Sequence, residues 1–130
     1  GPLLLPEPDI RENVSVDPAC LRHLGNLGKD LARRGVHFVV VLLPPMPGWI
    51  AAYDPGGFRD GAFRAEVSRH LDPTGALLID AAKGLSLTDK DFTDHAHLQW
   101  TSVPAFMDHL ISQMDRSQLD LAGGGRHHAL

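Results

Sequence analysis

The ten residues 91–100, DFTDHAHLQW, concentrate the side chains of this sequence that are best suited to chemistry. Two aspartates and two histidines lie close together there: Asp91, Asp94, His95 and His97. These residue types fit three kinds of site. They suit an acid/base pair of a hydrolase, a metal site, or a polar loop that bonds its own backbone and caps the next helix.

The acid/base interpretation rests on Asp94 and His97. The Asp-x-x-His spacing lets the carboxylate reach the imidazole across one turn. Such a carboxylate fixes the ring tautomer and stabilises the imidazolium while the other ring nitrogen takes a proton from a hydroxyl. General base catalysis of this kind accelerates a reaction by roughly 100- to 10,000-fold. The sequence therefore predicts His97 as a base that Asp94 orients.

The metal alternative combines His95 and His97 with Asp91 or Asp94. A His-x-His pair on an extended segment places both rings on one side, as in zinc sites. No distant third ligand stands out, so we expect neither a metal nor another cofactor. His95 is then interpreted as a solvent-facing neighbour of the pair.

Three helices and two strands are expected to position this stretch. The first helix follows Asp17 as N-cap and Pro18 as first residue, and Gly35 ends it. Its predicted buried stripe comprises Leu21, Leu24, Leu27 and Leu31. The β-branched run 36–44, VHFVVVLLP, then predicts a strand that is buried on both faces, as in parallel sheets.

The remaining elements follow in chain order: a loop at 44–58, a helix at about 59–71, a strand at 76–82, a polar loop at 83–100 and a closing helix at 101–116. The helix at about 59–71 has a predicted apolar face of Phe63, Val67 and Leu71. The predicted apolar face of the closing helix comprises Val103, Phe106, Met107, Leu110, Ile111 and Met114. This order predicts an α/β fold with a parallel sheet, a flavodoxin-like three-layer sandwich. Because two strands are few for such a sheet, we expect it to be incomplete at the N-terminus.

Both long loops leave the carboxyl ends of predicted strands, where α/β proteins bind their ligands. They should therefore share one rim. Trp49 and Trp100 flank these loops and are predicted substrate contacts, and Asp80, at a strand end, is a predicted brace of the rim.

The segments GVHFVVVLLPP, LLIDAA and DFTDHAHLQWTSVPAFMDHL resemble the C-terminal part of the SGNH (GDSL-like) hydrolase and acyltransferase superfamily. The sequence of these segments is most similar to the branch of polysaccharide O-acetylation proteins and the teichoic-acid D-alanylation accessory protein. The resemblance implies an ester hydrolase or O-acyltransferase with Asp94 as triad acid and His97 as base. It implies an acylated small molecule or polysaccharide as substrate, and it favours the periplasm or cell envelope.

The chain departs from that family because it contains no Gly-Asp-Ser block. The serine and the oxyanion donors would then lie upstream of Gly1, and the isolated chain is expected to be inactive. The alternative is a non-catalytic α/β module for binding or assembly that lacks the nucleophile.

Composition narrows the function classes further. The 130 residues fit one domain, which we divide into a lead-in at 1–16, an α/β part at 17–116 and a flexible tail at 117–130. A net charge of -4 argues against nucleic acid as a partner. No apolar run approaches the roughly 20 residues of a membrane span. An open sheet edge would favour self-association.

Overall fold

A computed structural model describes residues 15–117 of the chain. Four α-helices and two β-strands occur in this range: α1 (Pro18–Arg33), β1 (Val39–Leu42), α2 (Pro47–Tyr53), α3 (Phe58–Leu71), β2 (Leu77–Asp80) and α4 (Val103–Arg116). Short 3₁₀ turns follow α3 at Asp72–Thr74 and precede α4 at Asp89–Asp91. Residues 1–14 of the predicted lead-in and residues 118–130 of the predicted tail lie outside the described residues.

The two strands pair in parallel, with Val39 opposite Leu77 and Leu42 opposite Asp80. This confirms the predicted α/β class with a parallel sheet. Both strands are four residues long, shorter than the predicted ranges. Burial on both faces is also less complete than expected, since only Leu42 and Ile79 are fully buried in them. Within residues 15–117 each strand has a single neighbour, so the other side of each strand is unpaired.

Helices nevertheless cover both faces of the sheet. On one face, Leu42 packs with Leu21 of α1 and with Val67 and Leu71 of α3. On the opposite face, β2 and α4 share a cluster of four buried residues, and Val39 and Val41 of β1 pack against it. The four residues are Ile79, Ala81, Phe106 and Leu110. The residues of each strand alternate between these two clusters, as the period of two in a β-strand requires.

The first helix begins as the sequence predicts, because the Asp17 carboxylate accepts the N–H of Ala19 at 2.8 Å. Its buried face differs from the predicted leucine stripe. Leu21, Gly25 and Gly28 are buried, whereas Leu27 is exposed. A Cβ at Gly28 would lie only 2.8 Å from Thr74 Oγ1. The helix is therefore rotated so that its glycines, and not Leu27, lie against the end of α3.

Three further expectations were wrong. The predicted loop 44–58 contains α2, which begins with Pro47 at a first-turn position where proline costs no hydrogen bond. Phe63 of α3 is exposed and lines a surface groove. On α4 the predicted apolar face is wider than the buried one, and three of its residues are exposed: Val103, Met107 and Ile111.

Candidate functional site

The Asp-x-x-His stretch forms a tight turn that stands on two apolar residues. Phe92 and Leu98 pair across its base as an isolated antiparallel bridge. Phe92 is 0% exposed, and Leu98 packs on the α4 side of the sheet. Within the turn, the N–H of Thr93 donates to the carbonyl of His97 at 2.7 Å. The intervening residues are thus held at the surface on a buried base.

Asp94 binds His97 at the top of this turn. Its Oδ1 and Oδ2 lie 2.9 and 2.8 Å from Nδ1 of the imidazole. Oδ1 also accepts the backbone N–H groups of Ala96 at 2.9 Å and of His97 at 2.8 Å. The N–H of Ala96, followed by the bonds from His97, holds the pKa of Asp94 at about 2. The carboxylate is therefore charged at every pH of interest for catalysis.

The other side of the imidazole is open. The His97 side chain is 79% exposed. Among residues 15–117 its Nε2 has no hydrogen-bond partner. A carboxylate against Nδ1 favours the tautomer that has its proton on that nitrogen, and in this tautomer Nε2 is an acceptor. The predicted contact between Asp94 and His97 is therefore present.

Asp91 bonds its own loop and the residue before α4, whereas the metal alternative needs it as a ligand beside the histidines. Its Oδ2 accepts the N–H of Thr88 at 2.8 Å and the hydroxyl of the same residue at 3.1 Å. Its Oδ1 accepts the hydroxyl of Ser102, the residue before α4, at 2.7 Å. The N–H of Thr88 above all, then the Ser102 hydroxyl, lowers the pKa of Asp91. This part of the loop matches the third interpretation, a polar loop that bonds its own backbone and adjoins the next helix.

The described residues 15–117 contain no group of three or more histidine, cysteine, aspartate or glutamate side chains placed to hold a metal ion. His95 and His97 also face different partners. The ring of His95 stacks on Trp49, with centroids 5.8 Å apart and an interplanar angle of 28°. His95 is half-buried, so the expectation that it faces solvent was wrong.

The two long loops meet at the carboxyl edge of the sheet, as predicted. The N–H of Met46 donates to the His95 carbonyl at 3.2 Å. The N–H of Gly48 donates to Asp89 Oδ1 at 2.7 Å, so a carboxylate from one loop caps α2 of the other. Together with the Trp49–His95 stack, these bonds fix both loops against each other.

A groove of about 260 Å³ lies between these loops and α3. It is lined by the end of β1 and the prolines after it, by Trp49, by Phe63 and Arg64, and by His95 and Ala96. Of the two predicted aromatic contacts, Trp49 lines this groove. Trp100 does not line it and is 83% exposed. Trp49 and Trp100, which were both predicted to contact substrate, therefore do not line the same groove.

Arg64 connects the groove to the ends of both strands. Its Nε bonds Asp60, its Nη1 bonds Asp80 and its Nη2 bonds the carbonyl of Leu43, each at 2.7 Å. Its side chain is only 14% exposed. The predicted bracing role of Asp80 is confirmed, but Arg64 itself was missed. The Asp60/Arg64 spacing of four on a predicted helix was the available signal.

No family model, curated protein or solved structure matches the chain. Across the part of the chain that the structure describes, no helix has the length and apolar content needed to cross a membrane.

Proposed function

We propose that Asp94 and His97 are the acid and base of a serine-dependent acyl-transfer site, in an SGNH-type ester hydrolase or O-acyltransferase. One observation carries the proposal. The Asp94 carboxylate engages Nδ1 of His97 through both oxygens while Nε2 remains open to solvent. The pair also stands at the carboxyl edge of a parallel sheet, where α/β enzymes assemble their sites.

In the proposed reaction, Nε2 of His97 accepts the proton of a serine hydroxyl as its oxygen attacks the acyl carbonyl carbon. Asp94 stabilises the imidazolium that forms. The imidazolium then returns the proton to the departing alcohol, which leaves an acyl-serine. Water or an acceptor hydroxyl attacks this ester by the same proton transfers in turn. The acceptor decides between hydrolysis and acyl transfer.

The serine is assigned to sequence preceding Gly1, as are the donors that bind the oxyanion. Ser102 is the described serine nearest to the pair in sequence, but its hydroxyl donates to Asp91. We also infer that β1 and β2 belong to a larger flavodoxin-like three-layer sandwich. This is supported by helices on both faces of the sheet and by strands that each have one neighbour within residues 15–117. An acylated small molecule or polysaccharide of the cell envelope is the proposed substrate.

The test begins with the coding sequence upstream of Gly1. A continuing frame with a Gly-Asp-Ser block after a strand is expected. The longer protein should hydrolyse p-nitrophenyl acetate, and His97→Asn should lower kcat/KM by about 100-fold or more. His23→Asn is the matched control, because His23 is an exposed histidine on α1, which packs on a different part of the sheet. Equal activity of His97→Asn and the unsubstituted protein would contradict the proposal.

A second candidate function is a non-catalytic binding or assembly module, and one observation favours it. Trp100, Val103, Met107 and Ile111 are all exposed and recur at spacings of three and four. Val103, Met107 and Ile111 form an apolar stripe beside the buried face of α4, and Trp100 lies in the turn before the helix. Exposed contiguous apolar surface commonly marks an interaction site.

A further inference from the structure

The groove beside the turn has features that indicate what it would hold, if the proposed acyl-transfer function is correct. Ala96 lines the groove and directly precedes His97 in the chain. A group seated there would therefore contact the residue that precedes the proposed base. The volume of about 260 Å³ lies just below the range of about 300–1,000 Å³ for pockets that take drug-sized ligands. The groove therefore suits a small group.

The surface of the groove is mainly apolar. Leu42 lies at the end of β1, two prolines follow it, and Phe63 and Trp49 line the groove as well. Phe63 is partly exposed there, although it belongs to the predicted apolar face of α3. An apolar ligand would cover this aromatic surface and remove it from water.

The charges at the groove disfavour an anion. Arg64 and His95 are the basic residues that line the groove, and three N–H groups of Arg64 already bond Asp60, Asp80 and the Leu43 carbonyl. Two carboxylates against one guanidinium leave an excess of one negative charge in this cluster. Asp60 itself lines the groove, and its Oδ1 has no donor among the described residues. A ligand carboxylate would be repelled by that oxygen, because the positive charge of Arg64 is already balanced by Asp60 and Asp80.

We propose that this groove holds the acyl chain of the ester, and that it selects short uncharged chains over chains of similar length that end in a carboxylate. The inference rests on the proposed function for the identity of the ligand as an acyl group. Its charge selectivity rests on Arg64, Asp60 and Asp80 alone. Binding can be measured on the 130-residue chain without any turnover.

The experiment uses Trp49 as the reporter. The chain has two tryptophans, so Trp100→Phe leaves Trp49 as the only one. Its fluorescence is titrated with ethyl butyrate, the uncharged probe, and with monoethyl succinate, whose acyl chain ends in a carboxylate. We expect a saturable change with ethyl butyrate and at least tenfold weaker binding of monoethyl succinate. Absence of saturable binding of ethyl butyrate, or equal binding of the two probes, would overturn the proposal.

Two variants locate the binding and its selectivity. Ala96→Phe fills the groove and should abolish the titration, whereas Ala105→Phe, an exposed alanine on α4, should leave it unchanged. Asp60→Asn removes the negative charge of Asp60, whose Oδ1 has no donor among the described residues, and should reduce the preference between the two probes several-fold. Chemical shifts of the amide groups establish that each variant keeps the fold. Unaltered binding to Ala96→Phe would show that the probe binds elsewhere.

The proposal for the groove and the proposal for the catalytic pair can be tested separately. His97→Asn should bind ethyl butyrate as the reference chain does, because His97 does not line the groove. Normal probe binding together with an active His97→Asn variant of the longer protein would overturn the acyl-transfer function and leave the groove intact. Loss of activity in that variant without probe binding would overturn the groove only.

Discussion

The backbone N–H of Gly48 lies 2.7 Å from Asp89 Oδ1, a bond between residues 41 positions apart. Asp89 thereby caps the first turn of α2, which has no side-chain cap of its own. A Cβ at position 48 would collide with the same carboxylate, so the close approach requires glycine. This contact fixes the loop after β1 against the loop that carries Asp94 and His97.

Asp89→Ala should therefore destabilise the fold by about 1 kcal/mol, the usual effect of losing a helix cap. Urea unfolding followed by circular dichroism measures this difference. Asp89→Asn retains an oxygen acceptor and should recover most of the lost stability. Equal destabilisation by both variants would show that the charge of Asp89, and not the bond to Gly48, is what matters.

Arg64 is expected to be the most sensitive ionic residue of the described chain. Arg64→Met removes the donor to Asp60, Asp80 and the Leu43 carbonyl and leaves two carboxylates without their cation. Charge-assisted bonds of this kind contribute about 1.5–3 kcal/mol each to stability, so we expect a loss of at least about 2 kcal/mol in urea unfolding.

Arg69→Met is the matched control for Arg64. Arg69 pairs with Glu66 on the same helix, but the two side chains are exposed. Exposed pairs contribute little because water screens them. The unfolding midpoint of Arg69→Met should match that of the unsubstituted chain. A midpoint as low as that of Arg64→Met would mean that the loss of helix propensity, and not the loss of the bonds of Arg64, explains the destabilisation of both variants.

Phe92 supports the site from below. It is 0% exposed and forms the base of the turn with Leu98. Phe92→Ala should cost about 3–5 kcal/mol of unfolding free energy, as is typical of a large buried aromatic residue. Phe58→Ala is the control, since Phe58 is exposed and should be nearly neutral. A small effect of Phe92→Ala would show that the turn can form without its buried base.

The class of the fold could be predicted because its signals are local. Asp17, Pro18 and Gly35 mark the ends of α1 through cap chemistry and a left-handed backbone at glycine, with φ of 69°. The carboxyl edge of the sheet followed from the order of elements. The Asp94–His97 contact followed from a spacing of three residues within one turn. None of these features depends on a distant part of the chain.

The misses depend on contacts that are distant in the sequence. Leu27 was expected to be buried because it belongs to an apolar stripe of leucines. In the fold, the neighbouring Gly28 packs closely against Thr74 instead, and Leu27 is exposed. His95 was expected to face solvent, but it stacks on Trp49, a residue of the other loop. Arg64 joins the ends of two strands that only the folded chain brings together. Periodicity carries no information about such partners.

The exposed stripe on α4 predicts self-association. Met107→Lys places a charge in the centre of the stripe, because Met107 lies between Val103 and Ile111 on that face. We expect the apparent mass in size-exclusion chromatography with light scattering to rise with protein concentration, and to do so less in this variant. Ala105→Lys adds the same charge on another face of α4 and should behave as the unsubstituted chain. A single mass at all concentrations would contradict the prediction.

The pH dependence of stability should identify the bonds that hold Asp94. Its pKa lies at about 2 in the folded chain and at 3.8 in the absence of its partners, so folding favours the charged form. A group of this kind stabilises the fold above pH 3.8, and its contribution is lost as the pH falls toward 2. Asp94→Asn does not titrate in this range.

The difference in unfolding temperature between the unsubstituted chain and Asp94→Asn should therefore be largest above about pH 4 and shrink toward pH 2. Other carboxylates with a lowered pKa, Asp54, Glu66 and Asp91, titrate in both proteins, so the comparison removes their contribution. The ¹³C shift of the Asp94 carboxyl group gives its pKa directly. A value near 3.8 would mean that the bonds from Ala96 and His97 do not persist in solution. The proposed orientation of His97 would then lose its physical basis.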